Sequence, residues 1–415
     1  MIKRDILEEI KQHLTQKEMT FIVGPRQSGK TTLMMLLKND LEKNGKKSLF
    51  LNLDIETDRQ YFVSQENLLR KIRLEIGDEG FVFLDEIQRK ENAGVFLKGI
   101  YDMNFAYKFI VSGSGSVELK EQIHESLAGR KRIFELHTLS FSEFVNFRTD
   151  YRYENKILDF LKTEKIKSRA FLEEYMNFGG YPRVVLEIKE ADKLKIIAEI
   201  YQSYVERDIF NLLGIQKEEA FTKLVKILAS QIGNLINISE LSNTVGVARK
   251  TIEQYIWYLE KTFVVARITP FYENIRKEIT KSPKIYFTDL GMRNYAIGEF
   301  GKADSSRDAG FLFENFILLM FREIVKDQNT KIQFWRTKDA SEVDFIITAG
   351  KKTTPLEVKF SEISNVSLTR PFKNFIDKYN PDQAFVINLN LNKTLIYSGH
   401  QISFLPFYEI LNLTI

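Results

Sequence analysis

No cysteine occurs in the 415-residue chain, which excludes a disulfide framework, a thiol nucleophile and any cysteine-built zinc site, and fits a reducing compartment. Histidine is scarce as well: His13, His124, His137 and His400 are scattered without ligand spacing, so a histidine-built metal site is not expected. No apolar run is long enough to span a bilayer. The N-terminal segment MIKRDILEEIKQHL mixes charge with apolar residues at helical spacing and lacks the apolar stretch of a signal peptide. These absences predict a cytoplasmic protein with no membrane partner. A strong excess of one charge is missing too, since a net charge of +4 is small for this length and falls short of the positive concentration that marks a dedicated nucleic-acid binder.

What is present is the balance of a globular protein, 44% apolar and 28% charged. A chain of 415 residues exceeds one hydrophobic core and predicts about three domains.

The most informative segment lies near the N-terminus. Met19 to Val23 is an apolar, β-prone run; Gly24-Pro25-Arg26-Gln27-Ser28-Gly29-Lys30-Thr31-Thr32 follows; then Leu33, Met34, Leu36 and Leu37 begin a helical pattern. A strand, a glycine loop and a helix in that order point successive backbone N–H groups and a helix N-terminus at one spot, which favours bound phosphate. In such a P-loop Lys30 reaches the β- and γ-phosphates of ATP and the Thr31 hydroxyl ligates Mg²⁺. The second half of the site follows. Phe81 to Leu84 is an apolar strand delivering Asp85 and Glu86 at its carboxyl end, where Asp85 holds the Mg²⁺ shell and Glu86 polarises the attacking water. A third strand, Lys108 to Val111, ends in Ser112-Gly-Ser114-Gly-Ser116. Either Ser112 or Ser114 orients the water, or the segment is only a glycine-serine turn.

These pieces resemble the AAA+ ATPases, in particular a prokaryotic branch marked by G-P-R-Q-x-G-K-T, D-E-I-Q and S-L-A-G-R. Here the motifs read Gly24 to Thr31, Asp85 to Gln88 and Ser126 to Arg130, and the likeness continues through Leu139-Ser-Phe-Ser-Glu143-Phe and Gly179-Gly-Tyr-Pro182. The resemblance implies ATP hydrolysis and a role for Arg130 as an arginine finger or sensor. A basic surface formed by Arg130, Lys131 and Arg132 is the competing reading.

From Tyr151 to Leu213 apolar residues recur at helical spacing, which predicts a helical lid. Further on, Ser239 is placed to cap a helix, Gly246 to make a tight turn, and the next helix to turn Ile252, Tyr255, Ile256 and Leu259 inward. This predicts a winged helix-turn-helix with Arg249, Lys250 and Gln254 facing out, either onto DNA bases or as the surface of a packing module.

In the C-terminal part, Gly310 to Phe321 is apolar on nearly every helical face yet carries Glu314. Glu342 to Ile347 and Pro355 to Phe360 read as two strands joined by a polar turn. Alternation puts Glu357 and Lys359 on one side and sets Asp344 opposite Val343 and Phe345, so Asp344, Glu357, Lys359 and Glu314 are predicted to share one patch. Carboxylates beside a lysine suit metal-assisted phosphodiester cleavage, with Asp344 and Glu357 on Mg²⁺. The pattern resembles the PD-(D/E)xK nucleases and the C-terminal domain attached to the same ATPase branch. A degenerate site that only binds is the alternative.

The fold expected is therefore α/β: a P-loop AAA+ domain with a parallel sheet (1–150), a helical lid (151–215), a winged helix-turn-helix (216–300) and a C-terminal α/β restriction-endonuclease-like domain (301–415). The leading expectation is an ATPase whose hydrolysis controls a nuclease-like module acting on nucleic acid. The alternative is an ATP-dependent switch binding a protein partner, with that module inactive. A DNA-translocating motor is a third possibility, requiring a homo-oligomeric ring.

Overall fold

The computed structural model describes residues 2–114, 126–208, 218–272, 274, 278, 281–301, 308–325 and 329–413. Ser116, the end of the expected lid (209–215) and much of the expected wing lie outside them, as does the side chain of Ser114.

Five strands form the N-terminal sheet: β1 (Met19–Gly24), β2 (Ser48–Asn52), β3 (Glu79–Asp85), β4 (Ala106–Ser114) and β5 (Lys131–Glu135), all parallel in the order β2-β3-β4-β1-β5. β1 is buried along its whole length and pairs on both sides, as its continuous apolar run requires of a central parallel strand. The loop after β1 therefore emerges at the middle of the sheet, at the carboxyl ends where ligands sit in open α/β folds. Helices on both faces close two apolar cores.

Beyond the sheet come the helices Phe141–Arg148, Ile157–Thr163, Lys165–Phe178, Pro182–Leu186 and Glu190–Tyr201, the last running into a π-helical segment, Gln202–Asp208. Helix Glu218–Ser230 precedes a helix-turn-helix, Ile238–Val245 and Arg249–Lys261, with Gly246 left-handed at the turn (φ 77°). Ile252, Tyr255, Ile256 and Leu259 face inward. The first of these two helices is capped by the Asn237 side chain, which accepts the Ser239 and Glu240 N–H groups; Ser239 lies one step inside the helix rather than at the expected cap. A two-stranded antiparallel sheet, β6 (Val265–Ile268) with β7 (Lys284–Phe287), follows.

The C-terminal module is a mixed six-stranded sheet in the order β12-β13-β11-β10-β9-β8. Its strands are β8 (Thr330–Arg336), β9 (Glu342–Ala349), β10 (Lys352–Val358), β11 (Ala384–Asn388), β12 (Lys393–Tyr397) and β13 (His400–Pro406). Helix Ala309–Ile324 lies on one face and Arg370–Tyr379 on the other.

One apolar core runs from Leu139 and Phe141 through the lid and the helix-turn-helix to Phe316 and Phe407. Phe141 meets Phe316 edge to face at 5.2 Å between ring centroids. This core holds residues from both sides of positions 150 and 300. Among the described residues no helix is long and apolar enough to cross a membrane.

Candidate functional site

The loop between β1 and helix Lys30–Lys43 is built on backbone constraints. A Cβ on Gly24 would sit 2.1 Å from the Leu136 carbonyl, and Gly29 holds φ at 97°, so both positions require glycine. The helix starting at Lys30 has no side-chain cap and no acid in its first turn, leaving its N–H groups and dipole directed at the loop. The buried Ser28 hydroxyl has no hydrogen-bond partner. An orphaned donor beside uncapped amides is what a phosphate group would satisfy.

Lys30 is folded back, its ammonium donating to the Gly24 and Pro25 carbonyls at 3.2 and 2.9 Å. Burial pushes its pKa down to about 8 against the pull of Glu86 and Asp85. Across the sheet, Thr31 Oγ1 donates to Asp85 Oδ2 at 2.7 Å, and Ser112 Oγ donates to Asp85 Oδ1. The Glu86 N–H reaches Ser112 Oγ at 3.3 Å, while the Glu86 carboxylate accepts from the Gln88 amide. Glu86 itself is left-handed (φ 56°), which turns it out of the strand direction beside the loop. Thr31, Asp85, Glu86 and Ser112 thus meet at one place, as their spacing predicts. Ser114 ends β4 in register with Gly24.

Arg130 stands elsewhere. It precedes β5, at the end of the sheet opposite the P-loop, where its carbonyl accepts the Met19 N–H and its guanidinium pairs with Asp102 at 2.8 Å. β1 is six residues long, about 20 Å, so this arginine does not reach its own chain's phosphate loop and is no sensor there.

Three residues with no expected role, Arg183, Asp289 and Tyr204, organise the surroundings of this loop, and two of them, Arg183 and Tyr204, reach it directly. Arg183, the residue after Gly179-Gly-Tyr-Pro182, donates to Gln27 Oε1 at 3.1 Å and to Glu199 Oε2 at 3.0 Å. Asp289 accepts the Gly180 N–H at 2.8 Å and the Met292 N–H at 3.1 Å, tying that glycine pair to helix Leu290–Ile297; burial raises its carboxyl to about 6. The fully buried Tyr204 hydroxyl donates to the Thr262 carbonyl at the end of helix Arg249–Lys261 and lies close enough to Arg26 of the loop to feel its charge. The position of Arg183 in a motif was a signal for it; nothing local marked Tyr204 or Asp289.

On the helix-turn-helix, Arg249, Lys250 and Gln254 are all exposed on one helix, with Gln254 donating to Tyr258 at 3.0 Å.

In the C-terminal module the expected patch is reached in two parts. β8 and β9 slip by one residue: Gln333 pairs with Ile346 but Trp335 with Val343, so Asp344 and Phe345 together span the place of one β8 residue. That bulge corrects the simple alternation. Val343 packs with the core around Arg370–Tyr379, while Phe345 packs under helix Ala309–Ile324 and Asp344 feels the Glu314 charge there. Asp344 accepts the Val358 N–H at 2.7 Å, and burial, then Glu314, push its carboxyl well above the usual range. Glu357 instead takes Lys359 at 2.9 Å and the Thr369 hydroxyl at 2.9 Å. Glu314 is claimed by a residue that went unnoticed, Lys284 of β7, at 3.3 Å, and by the Tyr286 hydroxyl. The acids expected to hold Mg²⁺ are thus already occupied by protein donors, and among the described residues no group of three or more acids or histidines is arranged to hold a metal ion. Asp344 also feels the Glu357 charge, so these two acids lie near one another, each holding a protein donor.

Sheet order, P-loop and the facing acid pair define the N-terminal part as an AAA+ ATPase-like domain. Residues 16–145 match the family model described as "AAA domain", while 169–303 and 309–409 match two described as domains of unknown function, DUF8612 and DUF4143. An uncharacterized protein of Methanocaldococcus jannaschii is 27% identical over 359 residues, 85% of this chain and 76% of its own length. Another from Haemophilus influenzae is 25% identical over 391 residues, 91% and 92% of the two chains. Among solved structures, AMPPCP-bound DnaA from Aquifex aeolicus is 18% identical with a TM-score of 0.25, over 61% of this chain and 86% of that one. The Aeropyrum pernix ORC2 protein in its ADP form is 13% identical with a TM-score of 0.35, over 64% and 87%. Scores this low carry no argument about function.

Proposed function

We propose that the chain binds and hydrolyses ATP and works as a nucleotide-dependent switch, its state passed from the P-loop through the lid to the helix-turn-helix and C-terminal module. Gly24 to Thr32 would cradle the phosphates, with the Ser28 hydroxyl and Lys30 ammonium released from their present environment to meet them. Thr31 and Asp85 would hold Mg²⁺, which supplies charge neutralisation at the phosphates. Glu86 acts as general base toward water once Gln88 lets go of it, and Ser112 fixes the backbone of Glu86.

The observation that carries the switch reading is the position of Tyr204, which bridges the P-loop and the helix bearing the exposed Arg249, Lys250 and Gln254: its hydroxyl donates to the Thr262 carbonyl at the end of that helix and lies within the field of Arg26 in the loop. A rearrangement of the loop about phosphate changes one end of that bridge. The exposed helix is the output surface, toward DNA or a protein partner. The occupied acids of the C-terminal module favour the switch over a nuclease that cleaves.

Hydrogen-exchange mass spectrometry of residues 249–261, with and without Mg²⁺-ATP, tests the reading. Wild type should show nucleotide-dependent exchange there and Lys30→Ala none. Confirmed ATP binding with unchanged exchange would overturn it.

A further inference from the structure

The buried carboxylates of the C-terminal module lie on a boundary between modules. β7, which carries Lys284, belongs to the middle of the chain. It pairs with β6, and its neighbours are fixed by Gly233 N–H to the Ile285 carbonyl (3.1 Å) and Ile236 N–H to the Pro283 carbonyl (2.9 Å). Helix Ala309–Ile324 is clamped to the same strand, since the Asn315 amide accepts the Phe287 N–H at 2.9 Å and donates to the Phe287 carbonyl at 2.8 Å. Between those fixed backbones Lys284 is 1% exposed.

Its ammonium sits 2.5 Å from Glu342 Oε1 and 3.3 Å from Glu314 Oε1, and 5.3 Å over the Phe334 ring. The second Glu342 oxygen takes Arg336 at 2.6 Å, and Glu314 takes the Tyr286 hydroxyl. Burial disfavours charge on Lys284, yet Glu314 and Glu342 outweigh it and hold the ammonium above its ordinary value. The third acid, Asp344, is pushed toward its neutral form. Burial raises the Glu314 carboxyl in the same direction, so the negative charge of the cluster is small and Lys284 and Arg336 meet it from the protein's own side chains. A buried acid cluster needs such compensation, and a divalent ion added to a balanced one would have to expel an ammonium already paired there.

The geometry points to Lys284 as the resident cation of this cluster: the middle module supplies in place of a metal the positive charge that the C-terminal module needs, and the ion pair latches the two together. The latch stands independently of nucleotide binding. It also assigns Glu342, outside the acid-x-lysine pattern, as the principal partner of the cation. Movement of β7 would withdraw the charge, so the C-terminal acids are sensitive to the state of the middle module.

The test is Mn²⁺ binding without nucleotide, read from the free-ion electron paramagnetic resonance signal, for wild type, Glu342→Gln, Lys284→Ala and the Lys284→Ala/Glu342→Gln pair. Wild type and Glu342→Gln should take up Mn²⁺ equally, because the cluster holds none. Lys284→Ala should gain a site at least tenfold tighter than any in wild type, and the double variant should lose it. Loss of a wild-type site in Glu342→Gln overturns the proposal, as does folded Lys284→Ala that gains no site. Should Lys284→Ala fail to fold, the comparison of wild type with Glu342→Gln decides by itself. Nucleotide titrations play no part, so failure of the ATP switch and failure of the latch remain separate results.

Discussion

Removing a single oxygen from the middle of the molecule should uncouple it. In Tyr204→Phe the ring keeps its packing, and what is lost is one buried hydroxyl with its bond to the Thr262 carbonyl and its place beside Arg26. Thr262 closes helix Arg249–Lys261, where carbonyls have no partner within the helix, so the lost bond is not remade locally. A buried carbonyl left without its partner costs about 1–3 kcal/mol, so the loss here is about 2 kcal/mol, or a few degrees of melting temperature. That cost is modest beside the change in signalling. Nucleotide affinity should stay within about threefold of wild type, because the phosphate-facing groups are untouched; threefold is only about 0.65 kcal/mol. The exchange response of residues 249–261 to Mg²⁺-ATP should disappear. The assay is paired: a nucleotide titration to show binding, and exchange at saturation to show the response. An undiminished response in folded, nucleotide-saturated Tyr204→Phe would refute the idea that the hydroxyl transmits it.

Three further outcomes follow from the same geometry. Glu86→Gln should retain nucleotide within a few-fold while turnover falls by about 100-fold or more, as loss of a positioned base does; turnover near wild type in a phosphate-release assay would remove Glu86 from that role. The Lys30 ammonium, held at about 8 by burial in the described state, must be charged to meet phosphate, so nucleotide affinity should be full below that value and fall as pH rises. If phosphate restores an ordinary lysine pKa, the loss between pH 7 and 9 is about tenfold, and a flat titration would show that Lys30 is not the group engaged. Asp289, raised to about 6 by burial, binds its proton more tightly folded than unfolded, so it makes wild-type stability decline as pH rises from about 4 through 6. Asp289→Asn, which cannot ionise, should lose that pH dependence, and chemical denaturation across that range measures it; an unchanged pH profile would remove Asp289 as its source.

The P-loop was legible in the sequence because its chemistry is local. A buried strand, one glycine with no room for a side chain, another in a left-handed conformation and a helix N-terminus follow one another in the chain, and Asp85 follows its own apolar strand to the same edge. The helix-turn-helix was legible for the same reason, through the spacing of Ile252, Tyr255, Ile256 and Leu259. What escaped the sequence depends on residues far apart. Tyr204 and Thr262 are separated by 58 positions, Gly180 and Asp289 by 109, and neither pair shares a pattern that periodicity detects. Lys284 reads as an ordinary charge before a short apolar strand; only the fold shows it buried against Glu314 and Glu342. The C-terminal alternation was misleading at one point, the bulge at Asp344 and Phe345, where an extra residue turns two neighbours the same way. The motif that carries Arg130 does not say which end of a parallel sheet the residue occupies; the register of β5 against β1 does.

The central claim is that Gly24 to Thr32, with Asp85 opposite, grips Mg²⁺-ATP. Equilibrium titration of the full chain with a fluorescent ATP analogue and Mg²⁺ measures it most directly: wild type should saturate and Lys30→Ala should bind at least tenfold more weakly. Saturation indifferent to Lys30→Ala, or no uptake by folded wild type, would contradict the claim.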